Sequence, residues 1–312
     1  MINPRDLFDI QVDRADSFRE RAQASQVGPV LICGLKGFVD AGHAGAIAVE
    51  RMLEVSEPHT LAVFDHDRLV DYQAKRPILS FEDSRWTHYE PPRLTLDLLT
   101  DARGTEYLLL HGHEPNRYWE ALSEGLIELI HDFNVSLFVT ASGLPMGVPH
   151  TRPGGAIVHA NREDLVGASQ NFVGNMSVPA SFAHYAQYEI GRHNVDAAGI
   201  AVHVPHYLAQ SQYTPVGIVA LSKIEEITGL HFDVDEMAEA AREAIAEVDR
   251  QVEKSHDVAE MVAGLEAQYD AFMASHPEES LLAHTNHIPT ADELGAEFEQ
   301  FLSQFNRRRG TE

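Results

Sequence analysis

Apolar residues fall along this chain in two alternating patterns. Short unbroken runs, Val30 to Cys33, Leu61 to Asp65, Leu94 to Leu99, Tyr107 to His111, Val135 to Ala141, Ala156 to His159 and Val195 to His203, suit strands covered on both faces. Between several of them lie stretches of helical period: Ala44 to Val55, Arg117 to Phe133 with a stripe through Leu122, Leu126, Leu129 and Ile130, Ala180 to His193, and Val216 to Ile227. Strand, helix and strand in succession predict an α/β fold. The first such unit, Val30 to Asp65, has the length of a crossover and is expected to pair its strands in parallel, whereas Leu94 to His111 reads as a hairpin. The sheet is therefore expected to be mixed, mostly parallel and flanked by helices.

The remaining stretches are less regular. Residues 1–28 are polar with scattered apolar positions and read as an arm with a short strand. Arg68 to Pro92, carrying Tyr72, Arg76, Pro77, Trp86 and Pro91-Pro92, is too polar and proline-rich for a central strand and is expected to be a surface insertion or a surface that meets another subunit. Ser142 to Gly155 is a long loop by its prolines and glycines. From Asp233 the composition turns to alanine and glutamate. Met237, Ala241, Ala244, Ile245, Val248 and Val252 share one helical face, and a second stripe from Val258 to Phe272 is out of phase with it, which predicts a helical hairpin broken near Ser255. A last amphipathic helix is expected through Leu294, Phe298, Phe301 and Phe305. These patterns divide the chain into an α/β core, 1–230, and a C-terminal helical extension, 231–312.

Composition narrows what the molecule does. A formal charge of −25 over 312 residues argues against unaided binding to nucleic acid or to an anionic membrane. The sole cysteine, Cys33, sits inside the first apolar run, so no intramolecular disulfide forms; this suits a reducing cytoplasm. No run has the length of a membrane span, and no secretory leader is recognisable at the start.

Candidate chemistry gathers in loops that follow predicted strands, where open sheets collect ligands. Lys36-Gly-Phe-Val-Asp-Ala-Gly-His43 is a glycine-bearing turn feeding a helix, with Asp40 placed to cap it; such a turn suits an anion, but it matches neither the dinucleotide fingerprint nor the Walker pattern. If the strands near Val30, Leu108, Leu137 and Ala198 are parallel, then Asp40, His43, His113, Glu114, Arg117, His150, Arg152 and His206 emerge at one sheet edge and form one polar ligand cleft. Arg117 and Arg152 are candidates for a small anionic ligand, or else partners of Asp40 and Glu114 in a loop-fixing network. His111, His113 and Glu114 lack the supporting spacing of a metal motif, so neither metal nor cofactor is expected. Ser142, in Thr-Ala-Ser-Gly-Leu, lacks the first glycine of a nucleophile elbow.

Four motifs in order, Gly37-Phe-Val-Asp-Ala-Gly-His-Ala-Gly45, Leu110-His-Gly-His-Glu-Pro-Asn-Arg117, Gly143-Leu-Pro through Val148-Pro-His-Thr-Arg-Pro153, and Val202-His-Val-Pro-His-Tyr-Leu208, resemble an actinobacterial member of the proteasome assembly chaperone (PAC-type) family. The resemblance spans about residues 28–275. It implies a topology like that of nucleoside phosphorylases and hydrolases, self-association into a homo-oligomer, and a chaperone-like scaffold role with proteasome subunits as partners. Family members often act through a C-terminal tail of a hydrophobic residue, a tyrosine and a last residue; here the corresponding residues are Arg309-Gly-Thr-Glu312. The alternative function is a small-molecule binder or hydrolase- or phosphorylase-like enzyme using the loop histidines and arginines.

Overall fold

The computed structural model describes residues 2–166 and 177–275. The chain opens with β1 (Phe8–Ile10) and helix α1 (Val12–Ala24), followed by β2 (Val30–Lys36), α2 (Ala44–Val55), β3 (His59–Phe64) and a one-turn helix α3 (His66–Leu69). A hairpin of β4 (Ile78–Glu82) and β5 (Arg85–Glu90) precedes β6 (Leu94–Thr100), β7 (Glu106–His113), α4 (Trp119–Asp132), β8 (Leu137–Met146) and β9 (Ala156–Ala160). Then come α5 (Phe182–Arg192), β10 (Asp196–Pro205), α6 (Thr214–Thr228), α7 (Ala238–Glu253) and α8 (His256–Ser275).

Eight strands form one mixed sheet in the order β1-β3-β6-β7-β2-β8-β10-β9, and β4 pairs only with β5. The central strands β7, β2, β8 and β10 are parallel, while β1, β3 and β6 at one edge and β9 at the other join through antiparallel ladders. Alternate residues of the central strands enter two cores, which is why they read as unbroken apolar runs. Leu31, Leu108, Leu110 and Phe138 pack with Phe18, Leu126 and Phe182 from α1, α4 and α5; Ile32, Leu109 and Val139 pack with Met52, Leu221 and Ile224 from α2 and α6.

Local readings and tertiary pairing part company at three places. The arm expected in residues 1–28 contains α1, a helix with only Ala15, Phe18 and Ala22 buried, too thin a stripe to stand out in a polar segment. The expected parallel pairing of β2 with β3 does not form, because the β6–β7 hairpin lies between them. Leu108, Leu109 and Leu110 of β7 are buried on both faces, whereas Val63 of β3 is 39% exposed, so β7 suits the centre and β3 a place near the edge. Finally, β8 runs on through Ser142–Met146 into the expected loop, paired residue by residue with Ala201–Pro205 of β10. Beyond Thr140 β8 has no ladder to β2, so Pro145 sits where a missing amide costs least. The expected helix through Leu294 and Phe305, and the tail Arg309-Gly-Thr-Glu312, lie outside the described residues.

Small residues draw the elements around the carboxyl ends of β2 and β8 together. A Cβ on Gly34 would stand 2.2 Å from Val49 of α2, and one on Gly217 of α6 2.2 Å from Ile47 of α2. At Gly143 of β8 the obstacle is main chain: a Cβ would lie 1.9 Å from the Ala41 carbonyl oxygen. Gly143→Ala is therefore expected to destabilise the fold by about 2 kcal/mol or more, read as a lower urea midpoint at unchanged m-value.

Candidate functional site

The loop after β2 is held by Asp40. Its carboxylate accepts hydrogen bonds from the amides of Gly45 (2.8 Å) and Ala46 (2.9 Å) at the start of α2 and from Gly143 (3.0 Å) of β8. Getting from β2 to this cap requires left-handed backbone at Gly42 (φ 63°) and His43 (φ 58°). Burial pushes the Asp40 pKa up, against the lowering influence of the three amides and His43.

Glu114, just past β7, does the same for two other segments. It is buried and accepts from the amides of Phe38 (2.9 Å) and Phe182 (2.6 Å), the second at the start of α5. Its own backbone carbonyl accepts from Lys75 Nζ at 2.7 Å. Gly37 is required alongside, since a Cβ there would meet the Glu114 carboxylate at 2.3 Å. Of the two open roles for these carboxylates, the geometry is loop-fixing, but the partners are backbone amides rather than Arg117 and Arg152.

Between these anchors and α5 lies a cleft of about 1410 Å³. Asp40, His43 and His113 line it, with Glu114 beside it at the base of the Phe38 loop. Burial lowers the His113 pKa, and the nearby Lys75 and Lys36 ammonium groups lower it further. Across the cleft, burial also lowers the pKa of His184 on α5, against the opposing effect of Glu114. The lining further includes Lys36, Lys75, His159, Gln187 and Tyr188, which sequence reading did not single out. Lys75 falls in the segment read as a surface insertion, and His184 in a helix without a motif. The legible signal was in β10, where Ala197, Gly199 and Ala201 alternate on one face and leave room beneath α5.

The remaining candidates lie elsewhere. His150 and Arg152 line a second cavity of about 220 Å³ beneath α7 and α8. His150 shares a hydrogen bond with the Tyr207 hydroxyl through Nδ1 (2.6 Å) and with Asp249 of α7 through Nε2 (3.0 Å). The arrangement assigns the Nε2–H tautomer, with Tyr207 donating to Nδ1 and Nε2 donating to the carboxylate. Arg152 grips Asp270 of α8 in bidentate fashion, 2.8 and 2.6 Å, and reaches Glu266 at 3.2 Å. Arg117 pairs with Asp71 at 3.1 Å on an exposed surface, and His206 stacks edge-on against Tyr207 with centroids 5.4 Å apart; neither lines either cavity. The separation has a topological cause. β8 continues past the end of β2, so the loop that follows it emerges beyond the cleft and is covered by the C-terminal hairpin, whereas the turn after β10 returns Ala209 and Gln210 to the cleft and leaves His206 outside it.

Among the described residues no three His, Cys, Asp or Glu side chains gather as a metal site, and no helix is long and apolar enough to cross a membrane. The Cys33 thiol is buried, and burial and Glu114 push its pKa up, the reverse of an activated nucleophile. Ser142 lines the cleft without a hydrogen bond to a histidine among the described residues.

The model of the PAC2 family matches residues 34–252, which takes in the β2 turn, both carboxylate anchors and α7. The chain belongs to the PAC2 family. A protein of unknown function from Mycobacterium tuberculosis is 36% identical over 81% of this chain and 89% of its own, with a TM-score of 0.78. A second, from Corynebacterium glutamicum, is 26% identical over 86% and 99%, with a TM-score of 0.79. A Mycobacterium tuberculosis proteasome-assembly chaperone homologue shares the fold at 22% identity over 75% and 99%, with a TM-score of 0.67. No curated protein matches the sequence.

Two outcomes follow from the anchors and the second cavity. Asp40→Ala leaves three amides without their acceptor and is expected to cost about 2–4 kcal/mol in urea unfolding, with Asp40→Asn recovering part of it. His203, beside the second cavity, is buried, its Nε2 has no partner among the described residues, and burial pushes its pKa down to about 4. A folded-state pKa below the unfolded value near 6.5 gives stability that is present above about pH 6.5 and is lost as the pH falls toward about 4, by roughly 3 kcal/mol for this one group. His203→Leu should flatten that part of the stability–pH curve.

Proposed function

We propose that this protein is a chaperone-like interaction protein, a homo-oligomer that acts on proteasome subunits through protein–protein contact. Membership of the PAC2 family supports the chaperone-like part of this reading. The observation that carries the contact surface is the β4–β5 hairpin. Its register slips between Ser80 and Phe81, so that Leu79 faces Tyr89 but Phe81 faces Trp86 rather than Thr87. One extra residue in β5 reverses the alternation there. Leu79, Phe81, Trp86 and Tyr89 thereby come to one face of a ribbon that pairs with no strand of the main sheet. They remain 46%, 59%, 65% and 47% exposed, with Phe81 and Trp86 in edge-to-face contact at 5.0 Å. A two-stranded ribbon is marginal by itself, and an apolar face on it is stabilised when a partner covers it. Each of these side chains contributes about 1.5–3 kcal/mol on full burial.

Light scattering at micromolar concentration is expected to give a mass above the 34.6 kDa of one chain, and surface plasmon resonance is expected to detect binding to purified proteasome α-subunits. The double variant Phe81→Ser/Trp86→Ser should lower the mass toward the monomer and weaken α-subunit binding by about tenfold or more, with the melting temperature nearly unchanged. A monomeric wild type that binds no α-subunit, or a double variant that behaves as wild type, overturns the reading.

A further inference from the structure

The large cleft has two chemically different ends. Beneath α5 its floor is formed by Ala197 and Ala201 of β10 with Ile157 of β9, apolar positions separated by His159 and Gln187, which lie over Gly199. At the end formed by β2 and β7 the lining is Lys36, Lys75 and His113. Of the carboxylates in or beside the cleft, Asp40 accepts from the amides of Gly45, Ala46 and Gly143, Glu114 from those of Phe38 and Phe182, and Glu50 from the Gln212 side chain. Lys75 spends one donor on the Glu114 backbone carbonyl and keeps two, and among the described residues neither lysine forms an ion pair. In a chain with 48 acidic and 23 basic residues, Lys36 and Lys75 line one concavity and neither is paired with the carboxylates there, which are engaged by other groups.

We propose that this cleft binds a small amphipathic anion, its charged end held by Lys36 and Lys75 and its apolar body lying against Ala197, Ala201 and Ile157. The cleft, at about 1410 Å³, exceeds the several hundred Å³ of a typical small-ligand pocket and so has room for such a molecule, and its lining combines apolar residues with a few placed polar groups. His113, kept neutral between the two cations, supplies a hydrogen bond to the head group without adding a charge that would have to be paired. Carboxylate and phosphate head groups share this chemistry. The site is separate from the exposed hairpin, so its success or failure is independent of the contact proposed above.

Calorimetric titration of the full chain with decanoate, decyl phosphate and decanol tests it. Decanoate, decyl phosphate or both should bind with micromolar affinity, their ratio identifying the preferred head group, and decanol should bind at least about tenfold more weakly. Lys36→Met/Lys75→Met should weaken the anions by about tenfold or more, and Ala201→Phe, which fills the floor, should abolish binding while circular dichroism stays native. Trp86→Ser should leave the affinity unchanged. Decanol binding as tightly as the anions, unchanged affinity in the lysine double variant, no binding of either anion up to about 1 mM, or loss of binding in Trp86→Ser would each overturn the proposal.

Discussion

Two carboxylates hold together the carboxyl end of the central sheet. Asp40 takes two amides at the start of α2 and one from β8; Glu114 takes one from the β2 loop and one at the start of α5. Helix starts and strand ends leave amides that nothing local satisfies, and burying them unpaired costs more than burying a carboxylate that accepts several at once. Four segments distant in sequence are thereby fixed around one point. The glycines at 37 and 143 belong to the same arrangement, because a side chain at Gly37 would meet the Glu114 carboxylate and one at Gly143 would meet the main chain of Ala41, next to Asp40.

What the anchors frame is a cleft that the packing of α5 leaves open. Ala197 and Ala201 of β10 are too short to fill the space beneath α5, and His159 and Gln187 fill only the part over Gly199. His113 and His184 are pushed toward their neutral forms by burial, and His113 by the nearby ammonium groups as well.

The second cavity has a different character. The loop after β8 docks the C-terminal hairpin there: His150 reaches α7, Arg152 reaches α8, and Thr151 bonds to Glu266. Arginine serves here because its planar fork meets the Asp270 carboxylate in two parallel bonds. The loop after β8 therefore ties the core to the helical hairpin rather than contributing to the cleft, while the β4–β5 ribbon leaves its apolar face exposed.

The sequence by itself determined the α/β class, the runs that became central strands, the β6–β7 hairpin, the break near Ser255 and the capping role of Asp40. Each is written in local periodicity or in a residue whose partners lie a few positions away. The four family motifs carried the membership as well, and the first two of them hold the anchors Asp40 and Glu114. Only the tertiary structure decided that β7 and not β3 lies beside β2, because strand order depends on which faces the rest of the chain can cover. It also decided which loop residues share a space. His113 and Asp40 meet across the cleft with His184 and Lys75, but His150 and Arg152 are carried past it by the continuation of β8, a length set by pairing with β10 and not by the proline-rich sequence that runs through it.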